Sequence, residues 1–117
     1  MSAHTEILRE LVARFNQRQP IEVERYFAPT FRLAQPNGAH REGLAGARAM
    51  VDALCALGEH VRLEILAMVE QDDLVAVRWQ VTGMSGGAAS AMMAMYRFEA
   101  GRIVDDWGIA VAAPWPQ

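Results

Sequence analysis

Gly101-Arg102-Ile103-Val104-Asp105-Asp106-Trp107-Gly108 is the stretch from which the fold is best read. Ile103, Val104 and Trp107 favour extended backbone, Ala100-Gly101 makes a turn before them, and residues 102–112 therefore read as a final strand. Across that turn lies another strand, residues 91–98. A Gly/Ser/Ala-rich stretch, 83–90, separates it from a strand at 74–82. Gln71-Asp72-Asp73 then turns the chain back onto residues 60–70. Strands that follow one another through short turns imply an antiparallel sheet.

Ahead of the strands the period of the apolar residues is helical. Ile7, Leu8, Leu11, Val12 and Phe15 mark a helix over residues 5–17, with Ser2 or Thr5 as its cap. Pro20 suits the start of a short second helix that carries Val23, Tyr26 and Phe27 on its inner side. Phe31, Leu33 and Gln35 alternate with Arg32 and Ala34, as in a half-buried strand. Pro36-Asn37-Gly38 is a turn in which glycine supplies the positive φ. Residues 43–57 form a third helix with Leu44, Ala47, Val51, Leu54 and Cys55 inward, and Gly58 is its expected C′ stop. Three helices ahead of a meander give an α+β fold with the helices on one face of the sheet.

Composition narrows the function classes. The 117 residues fit one domain spanning 1–117, without repeat or linker. Hydrophobic residues make up 52% and charged residues 21%, an apolar excess that suggests a large cavity or a buried oligomer interface. A net charge of −3 and the lack of a basic cluster argue against nucleic acid. No run approaches the ~18 apolar residues of a membrane span. The first residues resemble no export signal, so the expected location is the cytoplasm. Cys55 reads as a small core residue. No three histidines and acids have metal-ligand spacing, and no phosphate loop joins a strand to a helix, so neither metal nor cofactor is expected.

Several segments resemble the SnoaL-like polyketide cyclases and ester cyclases of the nuclear transport factor 2-like superfamily. The final Gly-Arg-Ile-Val-acid-acid-Trp run is similar to their closing strand. Val61-Arg62-Leu63-Glu64, running on to Asp72, and the segment from Val75 to Gly83 resemble their central hairpin. Gly43-Leu44-Ala45-Gly46 looks like the start of their third helix, and Tyr96-Arg97-Phe98-Glu99 like the strand that enters their final hairpin. The resemblance implies a cone-shaped nuclear transport factor 2-like fold, three N-terminal helices packed on a curved antiparallel sheet. It also implies what is missing. Where those cyclases place an aspartate after the tryptophan, this chain has Gly108. Where ketosteroid isomerases of the superfamily place base, tyrosine and protonated aspartate, it has Gln35, Leu11 and Ala94.

If the position after Trp107 faces the cone, as the family aspartate implies, strand parity fixes the rest. Asp106, Gly108 and Ala110 face inward, and Asp105, Trp107 and Ile109 outward. Met92, Ala94, Tyr96 and Phe98 face inward on the preceding strand, and Val75, Val77, Trp79 and Val81 on the one before. Leu11, Phe15, Phe27 and Gln35 close the cavity from the helical side, with His40 at its rim.

Asp106 and Tyr96 are the candidate catalytic pair, since a carboxyl on an apolar wall is tuned towards neutrality. The alternatives for Asp106 are a solvent-exposed acid at a strand end and an ion pair with Arg78 or Arg102. Gln35, His40, Leu11, Phe15, Phe27, Trp79 and Met92 are the candidate ligand contacts. Met93, Met95, Trp107 and Ile109 make an outer apolar face suited to a homodimer. The expected activity is acid/base cyclisation, isomerisation or dehydration of a small polyketide-like carbonyl compound. The alternative is a non-catalytic protein, either binding a small apolar ligand or serving as a structural dimer whose cavity Met92, Trp79 and Phe27 fill.

Overall fold

The computed structural model describes residues 3–36, 38, 40–84, 87 and 89–116. Helix α1 (Ala3–Asn16) is followed by a single turn of helix, α2 (Val23–Tyr26), and by strand β1 (Phe27–Ala34). A short strand β2 (His40–Glu42) leads into α3 (Gly43–Cys55). The meander β3 (Arg62–Gln71), β4 (Leu74–Thr82), β5 (Ser90–Glu99) and β6 (Arg102–Val111) completes the chain. The six strands lie in the order β2-β1-β6-β5-β4-β3.

All neighbouring strands are antiparallel except β1 and β6, which run parallel and bring the first half of the chain against the last strand. The meander is antiparallel as expected, and the β1–β6 pair adds a parallel neighbour that consecutive hairpins do not announce. Phe27 starts β1 rather than ending a helix, because the short second helix unwinds one residue earlier. Thr5 lies inside α1 and so is not its cap, and Ser2 falls outside the described residues.

The apolar stripes read from the sequence do the packing. Leu8 and Phe15 of α1, Ala47 and Val51 of α3, and Val75, Val77, Trp79 and Val81 of β4 are all buried in one core. Asn16 fastens α1 to the outer edge of β3, where its side-chain amide donates to the Leu63 carbonyl (2.9 Å) and accepts from the Leu63 N–H (2.9 Å). Arg18, just beyond the helix, donates to the carbonyls of Gly58, Glu59 and Val61. The bonds at Leu63 satisfy backbone groups that an edge strand otherwise leaves open, and those of Arg18 hold the turn that leads into it.

Helix α3 stops at Cys55, three residues short of Gly58. Cys55 is exposed, and so is Leu57 just after it, on the side of the helix end turned to solvent. The reading of Cys55 as a core residue is therefore corrected. Ala100 and Gly101 both hold positive φ, 52° and 79°, which gives the β5–β6 hairpin a tight turn matched to strand twist. Gly83 approaches the backbone of His60 so closely that a Cβ there would collide with the His60 carbonyl. Gly38 has φ +87° in the expected turn after β1, whereas Asn37 lies outside the described residues.

The end of the chain is irregular but tied down. Ala91 N–H donates to the Ala113 carbonyl (2.8 Å), and the Trp115 indole N–H donates to the Trp79 carbonyl (2.6 Å). Arg78 sits over the Trp115 ring.

Candidate active site

One irregularity in the last hairpin decides which acid faces the cavity. In the β5–β6 ladder Phe98 pairs with Ile103 and Arg97 with Asp105, so Val104 is an extra residue on β6. Such a bulge shifts the alternation of faces by one. Ile103 and Asp106 consequently face the same way, into the molecule, and both line its cavity. Strict alternation from Ile103 would have put Asp105 there instead.

The bulge leaves Ile103, Val104, Asp105 and Asp106 all buried in succession. Asp105 faces outward as its parity predicts, yet it is only 3% exposed. Two arginines cover it. Arg32 places Nε (3.1 Å) and Nη2 (2.9 Å) on Oδ1, and Arg97 places Nε and Nη2 (2.7 Å each) on Oδ2. Arg32 comes from β1, which reaches Asp105 only through the parallel pairing.

Asp106 has none of this. Among the described residues no cation pairs with it, so the expected alternatives Arg78 and Arg102 do not neutralise it. Desolvation pushes its carboxyl up from the usual acidic range to about 7. Tyr96 stands directly across the ladder from Asp106. Burial, and then the Asp106 charge, hold the Tyr96 phenol well above its ordinary value. A carboxyl that changes its charge near neutrality thus sits beside a hydroxyl whose ionisation is pushed well up.

The cavity they share measures about 210 Å³. Its wall includes Leu11 and Phe15 of α1, Phe27 of β1, Gln35, Trp79 of β4 and Met92 of β5, all expected there. Met50 and Leu54 of α3 and Leu63 of β3 also contribute, although periodicity marks Leu54 only as a packing residue and singles out neither of the others for the wall. Trp79, Met92 and Phe27 therefore line the space without filling it. Ala110 is exposed and takes no part in the wall.

His40 is placed elsewhere. It lies on the exposed β2 with its Nε2 3.1 Å from a Glu42 carboxylate oxygen, and it does not line the cavity. The turn that follows Gln35 carries it away from the cone on an edge strand. Gly108 lines the cavity two residues beyond Asp106, and a Cβ added there would lie 3.7 Å from Asp106 Oδ1.

Trp79 adds a feature that parity alone does not reveal. The residue is 4% exposed, and its Nε1 is buried with no hydrogen-bond partner among the described residues. Its ring meets the Tyr96 ring edge to face, at 6.5 Å between centroids. The indole lies near enough to the Tyr96 hydroxyl to favour its ionised form slightly, without making a well-formed bond to it.

On the opposite side of the sheet Met93, Met95, Trp107, Ile109 and Val111 are exposed. Most of them line a shallow apolar groove of about 410 Å³ together with Ala34 and Pro36.

The sequence matches the SnoaL-like domain over residues 8–106. No curated protein matches it. Among solved structures it is similar to an NTF2-like protein of unknown function from Mesorhizobium loti, at 20% identity and TM-score 0.80, covering 93% of this chain and 91% of that one. It is also similar to IdmH from Streptomyces antibioticus, a candidate polyketide cyclase, at 22% identity and TM-score 0.72, covering 91% and 90%. A candidate SnoaL-like polyketide cyclase from Jannaschia sp. CCS1 aligns at 16% identity and TM-score 0.77, covering 92% and 85%. At these identities the likeness to solved structures is one of fold.

Proposed function

The chain belongs to the SnoaL-like domain family, and from that premise we propose that it moves protons on a small apolar carbonyl compound without a cofactor. The observation that carries this reading is Asp106, a carboxyl that burial pushes up to about 7, with no cation beside it among the described residues, on an apolar cavity wall. An ionised Asp106 takes a proton from the carbon next to a carbonyl. The electron pair moves onto the oxygen, where Tyr96 donates a hydrogen bond and the Gln35 amide gives a second polar contact. Asp106 then returns the proton. Delivery to a different carbon is isomerisation, and delivery to a leaving hydroxyl releases water. Attack of the enolate carbon on a second carbonyl closes a ring, and Asp106 then gives its proton to the alkoxide oxygen so formed.

Gly108 lacks the acid that SnoaL-like cyclases carry after the tryptophan. Asp106 stands on the same face two residues earlier, and its Oδ1 approaches the space beside Gly108. It is therefore able to serve the region of the cavity which that acid would serve.

We further propose that the protein works in the cytoplasm and that two copies pair through the outer face. Met93, Met95, Trp107 and Ile109 support the pairing, because exposed apolar side chains this closely grouped favour being covered. Among the described residues no helix is long and apolar enough to cross a membrane.

The test is proton exchange at the α-carbon of a cyclic ketone such as 1-indanone in D₂O, followed by NMR. Wild-type protein should accelerate exchange, with a rate that rises through pH 7. Asp106→Asn should lose at least about 100-fold of it. A second reading, ligand binding without chemistry, draws on the cavity being smaller than the ~300 Å³ at which drug-sized sites begin. Saturable ketone binding, unaffected by Asp106→Asn and without exchange above the solvent rate, would establish that reading instead.

A further inference from the structure

Trp79 and Tyr96 both line the cavity, but they do not share a rung of the sheet. The β4–β5 register pairs Trp79 with Met92 and Tyr96 with Val75, so the rung of Val77 and Ala94 lies between them. The small Ala94 leaves room above that rung. The two rings meet edge to face, with 6.5 Å between centroids and 83° between planes. The backbone of Trp79 is itself held, because the Trp115 indole N–H donates to its carbonyl at 2.6 Å.

The polar groups at this contact are unevenly matched. An indole N–H can only donate, and Trp79 Nε1 is the one buried side-chain nitrogen or oxygen without a partner among the described residues. Native proteins seldom leave such a group idle. Its neighbour is the Tyr96 hydroxyl, which it approaches closely enough to favour the ionised form. A hydroxyl carries one hydrogen and two lone pairs. Beside an N–H it turns a lone pair towards that group, since two hydrogens facing each other repel. The direction that remains for the Tyr96 hydrogen is the cavity, with Asp106 across the β5–β6 ladder.

Resting on the proton-transfer reading of this cavity, we propose that Trp79 is a positioning residue: its indole N–H faces the Tyr96 hydroxyl oxygen and so turns the hydroxyl hydrogen towards the ligand. The indole nitrogen itself needs no contact with that ligand. Its approach to Tyr96 is loose at rest and falls short of a full hydrogen bond. Charge collects on the Tyr96 oxygen only as its hydrogen is drawn to the oxygen of a ligand enolate, and the bond from Trp79 then strengthens. Trp79 thus contributes more to the reaction than to binding.

A pair of substitutions separates this role from mere wall-building. Trp79→Phe keeps an aromatic ring and deletes the N–H. In 1-indanone exchange it should lower kcat about tenfold while KM stays within about twofold. In a Tyr96→Phe background, which has no hydroxyl to orient, the same change should cost no more than about twofold. A residue that only shaped the wall would cost the same in both backgrounds and would raise KM.

The ligand-free protein gives a second readout. With ¹⁵N-labelled tryptophan, the Trp79 indole N–H signal should move upfield in Tyr96→Phe, which keeps the ring and its magnetic effect but removes the hydroxyl oxygen. That signal decides the matter even if Trp79→Phe fails to fold. An indole signal indifferent to Tyr96→Phe, or equal losses in the two backgrounds, would overturn the assignment. A signal that moves, in a wild-type protein that exchanges no α-proton, would uphold the Trp79–Tyr96 pairing and overturn the proton-transfer reading alone.

Discussion

Asp105 and Asp106 are neighbours in the chain and almost equally buried, at 3% and 7% exposure, yet they live under opposite electrostatic conditions. Asp105 faces the outer side of the sheet and is held by four short arginine contacts. Asp106 faces the cavity with no cation to hold it among the described residues, and burial pushes its carboxyl up to about 7. Burial therefore does not decide what a carboxylate is for. The partner does: a paired acid ties strands together, and an unpaired one is available to a ligand.

Neutralising the two acids in turn should separate them most widely. Asp106→Asn removes an unpaired buried charge, so it should stabilise the protein above pH 7 by a few kcal/mol. Asp105→Asn weakens the acceptor of both arginines and should cost about 2–4 kcal/mol. Urea unfolding at pH 8 reads both values. Two changes of the same sign would contradict the opposite roles.

Titration isolates the unpaired acid. The folded value of Asp106, about 7, lies above its ordinary value of 3.8. Between these two the folded protein holds a proton that the unfolded chain has released. The Asp106 contribution to stability is thus complete below about pH 4 and lost as the pH rises through 7. Wild type and Asp105→Asn should both show that loss, superimposed on the other titrations of the chain, and Asp106→Asn should lack it.

The two sides of the sheet can also be separated by association. Trp107→Glu puts a charge on the apolar outer face and should convert a two-copy species into single chains in sedimentation, while leaving 1-indanone affinity within about twofold. A wild-type protein that sediments as one chain would remove the pairing from the proposal. Gly108→Ala is the mildest change. Its Cβ meets Ala94, Asp106 and the Met93 carbonyl at an ordinary 3.7 Å. Stability should move by no more than about 0.5 kcal/mol, and the Asp106 midpoint should drift upward as the methyl excludes water from it.

Much of this is legible in the residues themselves. The boundaries of β4 at 74 and 82 coincide with those read from the turns, because Asp72-Asp73 and Gly83 punctuate that strand on both sides. The inward set Trp79, Met92, Tyr96 and Asp106 follows from alternation once Trp107 is placed outside. What alternation does not supply depends on groups distant in sequence. The burial of Asp105 needs Arg32, 73 residues away, and a parallel pairing that a succession of hairpins does not announce. The Val104 bulge has no marker of its own in the sequence, since valine is an ordinary strand residue. Cys55 reads as buried because periodicity tells which side of a helix is apolar, not where its packing partner ends. The unspent N–H of Trp79 emerges only when every neighbouring acceptor has been located.

The bulge at Val104 has a hereditary side. It stores one residue of slack between the turn and the acids, because Asp105 stays opposite Arg97 and Asp106 opposite Tyr96 on its far side. Losing the Val104 codon would close the ladder into simple alternation without moving either acid from its partner. A slip that spread the spare residue along the strand would do the reverse, turning Asp105 into the cavity and Asp106 towards the arginines. A hairpin that lost that codon would thus keep its acid in the site. Equivalent acids in the shorter and longer hairpins would stand at different distances from the glycine turn, to be matched by the rung they occupy rather than by counting along the chain.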